Sequence, residues 1–198
     1  MPRRSPRWFA VAALFVAAVT AACGSGGGSG AATAAATSES ATGSGAPAAT
    51  TAAGGGTFTL TSPAFADNAA IPRRFTCQGD GVSPELDWTG VPAGTTTLAL
   101  LVVDPDAPID HGFTHWVLTG IDPAAGRLAE GTTAGTPGDS SRGSPGYTGP
   151  CPPTGTHHYV FTLYALAAPP AAASREAIEA AAPQALGKAV LTGTYRQT

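Results

Sequence analysis

A 33-residue tract from Gly24 to Gly56 decides how much of this chain can fold. All of it except Glu39 and Pro47 is Gly, Ala, Ser or Thr. Such a segment carries no large apolar side chains to offset the entropy of ordering it. It reads as a flexible linker with a root-mean-square span of about 30 Å. A nascent helix over 31–37 would be too short to persist alone. The folding portion is therefore 57–198, enough for one domain. Alanine also inflates the hydrophobic fraction of 43%, so that figure overstates the core.

Residues 1–22 read as a secretory signal peptide. Arg3, Arg4 and Arg7 form a basic start, and Trp8 to Val19 is an apolar stretch too short to span a bilayer comfortably. The small residues Thr20, Ala21 and Ala22 precede Cys23. This order resembles a bacterial lipobox, with Cys23 as the lipidation site, although Thr20 stands where an aliphatic residue is usual. The plainer alternative is a secreted protein in which Cys23 is incidental. The residues after Arg3-Arg4 fit twin-arginine export poorly. Without residues 1–22, seven Lys and Arg face thirteen Asp and Glu, a net charge of −6. That balance excludes a polybasic membrane anchor and a broad nucleic-acid surface. Membrane attachment would come from lipid on Cys23, leaving the domain on the extracytoplasmic side of the cell membrane.

Cys77 and Cys151 remain, both in Gly/Pro-rich loop sequence. In an exported domain two such cysteines suggest a disulfide, closing a loop of about 75 residues. Two free buried thiols are the alternative. Their spacing matches no zinc pattern.

The domain is dominated by short strands between Gly/Pro turns. Residues 57–61 alternate as a half-buried strand should, and 86–88 is a short extended piece. Residues 97–104 form a continuous apolar run, which predicts a strand buried on both faces. Residues 113–119 and 158–166 are two more strands, rich in aromatic and β-branched residues. Trp88 and Trp116 read as core. Near the C-terminus the period changes. Ser174 can cap a helix with Ala177, Ile178 and Ala181 on one face, and Pro183 should end or restart it. A short second helix to about Ala189 and a last strand over 190–196 follow. Strands first and helices late predict a mainly β fold, an antiparallel β-sandwich with peripheral C-terminal helices. Residues 132–146 read as a surface loop.

Side chains suited to chemistry are few. Asp104-Pro105-Asp106-Ala107-Pro108 directly follows the buried strand, and the prolines restrict its shape. Nine residues after Asp106 comes His115, and His157 opens the 158–166 strand. Strand ends leading into rigid loops are good places to fix side chains around a pocket. The bland reading is that the Asp and Pro residues only build a tight loop and that His115 is a satisfied core histidine. His158 alternates with His157, so its ring is expected to face away from a pocket. His111 lies in a turn and is expected in solvent.

Five pieces in order resemble the phosphatidylethanolamine-binding protein family, in particular its bacterial Raf-kinase-inhibitor-like branch. They are Cys77-x-Gly-x-Gly-x-Ser83-Pro84-x-Leu86-x-Trp88, Asp104-Pro-Asp-Ala-Pro108, His115-Trp116, Gly149-Pro-Cys-Pro-Pro153 with Gly155-Thr-His157-His158-Tyr159, and Leu191-x-Gly193-x-Tyr195. The resemblance spans 57–196. It implies a β-sandwich with a Greek-key element and flanking helices. It also implies a pocket at one end of the sandwich for small anions, such as the phosphate of a lipid head group. By resemblance, Asp104, Asp106 and Pro108 belong to the first pocket loop. His115 is the pocket histidine of the next strand, and Pro152 and Pro153 lie in the second loop. His157 is the histidine of the family's GxHR motif, and Tyr159 is the aromatic that follows. The arginine of that motif is His158 here, which removes any pairing inferred for it.

Two carboxylates fit an anion site only if they orient His115 or His157 and favour imidazolium. Binding is then expected to weaken above about pH 7. The leading expectation is a lipid-anchored, non-enzymatic binding module with no cofactor or metal. Its ligand would be a small anion or phospholipid head group. A second reading, from the family's inhibitor name, is an interaction protein acting on a partner in the envelope. A weak hydrolase or metal-dependent enzyme comes third. The domain has no GxSxG elbow, and Gly138-Asp139-Ser140 follows no strand.

Overall fold

The computed structural model describes residues 56–198. The signal peptide, Cys23 and nearly all of the linker lie outside the described residues. Among the described residues nine strands form two sheets, joined by loops that carry one short α-helix and three 3-10 turns. The larger sheet is built around β4 (Thr97–Asp104), which pairs antiparallel with β5 (Phe113–Ile121) on one side and β8 (His157–Leu166) on the other. Beyond β8 lies β9 (Gly187–Tyr195), and the edges are closed by β2 (Ala69–Ala70) and β7 (Thr136–Gly138). The smaller sheet holds β1 (Thr59–Thr61), β3 (Leu86–Thr89) and β6 (Arg127–Leu128) in the order β1-β3-β6. The return of β8 to lie beside β4 is the Greek-key element.

The apolar run of β4 has a physical cause. Leu98, Leu100 and Val102 pack into the main core with Trp88, Trp116, Phe161 and Leu163, between the two sheets. Ala99 and Leu101 face the other way, into a second cluster with Val117, Leu166 and Ile178. Ile178 belongs to α1 (Arg175–Ala181), so a helix covers the outer face of the sheet there. Both faces of β4 are thus dry, and alternation is lost. By contrast, β8 alternates: His157 and Tyr159 are buried while His158 is exposed.

Ser174 caps α1, its Oγ accepting from the Ala177 N–H at 3.2 Å. The expected second helix is a single 3-10 turn, Ala182–Gln184, with Pro183 in its first positions. The last strand starts at Gly187 rather than 190, because Gly187 and Ala189 pair with Ala165 and Leu163 of β8. That backbone ladder outweighs the helical propensity of the alanines. One pairing departs from antiparallel order: β2 runs parallel to β9. The stretch 132–146 is more than a surface loop, since β7 lies within it and Asp139 bridges Pro145. No helix among the described residues is long and apolar enough to cross a membrane.

Candidate functional site

Antiparallel pairing assembles the site. β4 ends at Asp104, and its two neighbours begin there, β5 at Phe113 and β8 at His157. One end of the sheet therefore gathers Asp104, His115 and His157. A register shift between Val102 and Val103 lets Asp104 face Phe113 across the ladder.

Asp104 is 3% exposed and fully employed. Its Oδ1 accepts from the N–H groups of Asp106 (2.9 Å) and Ala107 (3.1 Å), which folds the loop back on itself. Its Oδ2 meets His157 Nδ1 at 2.7 Å. A carboxylate only accepts, so His157 carries its proton on Nδ1. His115 Nδ1 lies 2.7 Å from the Thr148 carbonyl oxygen, which also only accepts. Both rings thus present Nε2 to whatever enters. Neither Nε2 has a partner among the described residues, and neither is wholly buried.

These side chains line a cavity of about 160 Å³. Asp104, His115, His157 and Arg142 supply its polar wall. Pro108, Ile109, Phe113, Pro152 and Pro153 form an apolar lip, with Ala107 and Cys151 between. Six of the expected residues therefore share one cavity: Asp104, Pro108, His115, Pro152, Pro153 and His157. Asp106 and Tyr159 stand beside it. Asp106 turns outward and accepts from the backbone N–H (2.8 Å) and Nδ1 (2.7 Å) of His158. Those two bonds hold its carboxyl below the usual carboxylate range. Tyr159 lies behind His115, ring edge to ring face at 5.0 Å between centroids. Its hydroxyl is buried without a partner in hydrogen-bonding geometry. Burial, and then the charge of Asp104, push its pKa up, and the nearby Cys151 backbone opposes this weakly.

Of the two rings that a carboxylate is expected to orient, His115 or His157, Asp104 meets His157 and no carboxylate bonds His115. The ring bonds a carbonyl, and burial pushes its pKa below 6.5. The Thr148 carbonyl and Asp104 oppose that fall without cancelling it, while Arg142 and His157 add to it. Arg142 is the cavity residue that the sequence expectations omit; residues 131–156 hold only two charges, Asp139 and Arg142, and that isolation is the one sequence feature that marks it.

Cys77 and Cys151 stand at disulfide distance, their Cα atoms 5.5 Å apart, so the bridge braces the loop that carries Pro152. A larger, more open depression of about 430 Å³ lies around Arg175. It offers little to a ligand, because that guanidinium is spent on Glu179 (2.7 Å), Thr114 (3.2 Å) and the His111 carbonyl (2.8 Å). Among the described residues no cluster of three His, Cys, Asp or Glu side chains could hold a metal ion.

Residues 61–196 match the family model described as phosphatidylethanolamine-binding protein. The chain belongs to the phosphatidylethanolamine-binding protein family. Among its family relatives is the Mycobacterium tuberculosis protein named "Putative lipoprotein LppC", 49% identical over 145 residues, covering 69% of this chain and 71% of the relative. A UPF0098 protein of Methanothermobacter thermautotrophicus is 43% identical over 152 residues, 70% of this chain and 98% of its own. The crystal structure of the phosphatidylethanolamine-binding protein homologue CT736 from Chlamydia trachomatis superposes with a TM-score of 0.68 at 34% identity, over 72% of this chain and 99% of that one. Escherichia coli YbcL, described as a member of the mammalian family, superposes at 0.65 with 29% identity, over 72% of this chain and all of its own.

Proposed function

We propose that the domain is a binding module whose cavity takes the phosphate group of a small phosphorylated compound or lipid head group. The observation that carries this reading is the pairing of His157 with buried Asp104 beside His115, in a cavity open to solvent. Oriented ring nitrogens in a small, part-apolar pocket suit recognition of a compact polar group. Among the described residues that line the cavity there is no Ser, Thr, Lys or free Cys beside the histidines, and the Asp104 carboxylate is held by His157 and the loop N–H groups, which favours binding over turnover. Calorimetry with phosphoethanolamine tests the reading. Binding to the native chain, lost in His157→Ala and unaccompanied by hydrolysis, is expected. Turnover on a phosphoester panel that His157→Ala abolishes would replace the binding reading with an enzymatic one.

We further propose that residues 1–22 export the chain and that Cys23 carries the lipid. The domain then sits outside the cell membrane on the 24–56 linker. The lipobox-like order before Cys23 and the lipoprotein name of the M. tuberculosis relative support this. Labelled palmitate should enter the native chain and not Cys23→Ala.

A further inference from the structure

We propose that Arg142 is the specificity-determining residue of this cavity, its guanidinium gripping the outer oxygens of a singly protonated phosphate group whose inner face meets the imidazoles. The inference rests on the phosphate-binding reading above and deepens it.

Charge balance is the first argument. The cavity holds the Asp104 carboxylate, and its rings have spent their Nδ1–H groups on Asp104 and the Thr148 carbonyl. A neutral ring then offers only the Nε2 lone pair. Burial keeps His115 toward that neutral form. An acceptor lone pair beside a carboxylate repels a bare anion. Among the described residues Arg142 is the one Lys or Arg lining the cavity. A phosphate with one P–OH satisfies both demands. The hydroxyl donates to Nε2, and the charged oxygens face the guanidinium fork.

Availability is the second argument. Arg74 pairs with Asp80 and Glu130, and Arg175 with Glu179. The Arg142 guanidinium has neither a hydrogen bond nor an ion pair among the described residues. It is exposed at the cavity mouth with its donors free.

Placement is the third. The turn that presents Arg142 is held from several sides. Its own N–H donates to Ser140 Oγ (3.3 Å), and the Gly143 N–H donates to the Ser140 carbonyl (2.9 Å). Ser141 exchanges two bonds with Thr114 of β5, each 2.9 Å. Thr148 Oγ1 donates to buried Ser140 Oγ (3.0 Å), while its carbonyl orients His115. One short segment therefore sets both the inner acceptor and the outer cation.

Calorimetry on the full chain in detergent micelles tests this with native protein, Arg142→Ala, Arg142→Lys and His157→Ala. The probes are phosphoethanolamine, inorganic phosphate, ethanolamine, and micelles doped with phosphatidic acid. Arg142→Ala should weaken phosphoethanolamine and phosphate tenfold or more. Arg142→Lys should fall between, since an ammonium keeps the charge and loses the fork. Ethanolamine should not distinguish the variants. Binding only to doped micelles would assign the phosphate to a lipid, and binding of the free compounds to a soluble source. Either pattern must still depend on Arg142. If native protein binds phosphate and His157→Ala does not, while Arg142→Ala stays within twofold of native, this inference falls and the binding reading stands. If native protein binds none of the phosphate probes, both fall.

Discussion

His157 donates through Nδ1 to Oδ2 of Asp104 at 2.7 Å, and both side chains are buried. The same carboxylate closes the loop after β4 through the N–H groups of Asp106 and Ala107. One residue thus shapes the loop and sets the tautomer of the histidine.

Asp104→Asn separates those two roles. The amide oxygen still accepts from the loop. Its NH₂ group then faces His157 Nδ1, where donor would meet donor. The ring must move its proton to Nε2, turning an acceptor at the cavity into a donor. The expected stability loss is about 1–3 kcal/mol, because a buried charge-assisted bond is replaced by a neutral one. Nitrogen NMR of the His157 ring reads the tautomer directly, and an unchanged Nδ1–H signal would refute the argument.

Stability should also depend on pH through His115. Burial lowers its pKa in the folded state from the ordinary value of 6.5. Between the two values the unfolded chain binds the extra proton, so stability rises with pH across that window. Its contribution is complete above 6.5 and is lost as pH falls toward the folded value. His115→Gln keeps a donor for Thr148 and removes the titration. Urea midpoints from about pH 5.5 to 7.5 should show the native chain steeper by up to about 1 kcal/mol per pH unit. Parallel curves would mean that the ring does not resist protonation.

Much of this site was legible because its polar residues sit where strong strand signals end. The β4 run and the aromatic pattern of β8 announce their own termini, and Asp104 and His157 are those termini. Alternation also separated His157 from His158, since period 2 leaves no other choice. Asp106 was harder. Two residues from Asp104, it turned outward to the exposed His158, and nothing in the DPDAP run distinguishes the two carboxylates. Arg142 was hidden for another reason. Its turn is held by the Ser141 hydroxyl, which accepts from the Thr114 backbone N–H of β5, and by the Thr148 hydroxyl, partners that no local pattern reveals. Strands β2 and β6, two residues each, exist only because longer neighbours pair with them. The helix that the sequence predicts to about Ala189 gives way for the same reason, since Gly187 and Ala189 pair with β8.

Removing the cross-link should cost stability without opening a void. Cys77 is exposed and Cys151 half-buried, so Cys77→Ala with Cys151→Ala leaves little cavity. Two bonds still join the loops: Cys77 N–H to the Pro150 carbonyl (3.1 Å) and Tyr147 Oη to the Phe75 carbonyl (2.9 Å). The loss should therefore report mainly the freedom regained by the unfolded chain, about 2–4 kcal/mol for so long a loop. Urea unfolding of the double variant measures it. A loss below about 0.5 kcal/mol would mean that the unfolded chain is already confined.

The pocket loop returns to β5 through His111 and Gly112, which both take positive φ, 63° and 75°. Only the second position excludes a side chain. A Cβ on Gly112 would lie 2.4 Å from the Asp104 carbonyl oxygen, against backbone that cannot move without disturbing the loop. Gly112→Ala should therefore cost more than about 2 kcal/mol, combining left-handed strain with that overlap. His111→Gly makes the contrast. It relieves strain of about 1 kcal/mol and adds a similar entropy cost in the unfolded chain, so the net change should be small. Thermal unfolding of both variants decides whether the close approach at residue 112 sets the loop. Equal and small effects would mean that the loop shifts freely, and that Asp104 rather than the turn holds its shape.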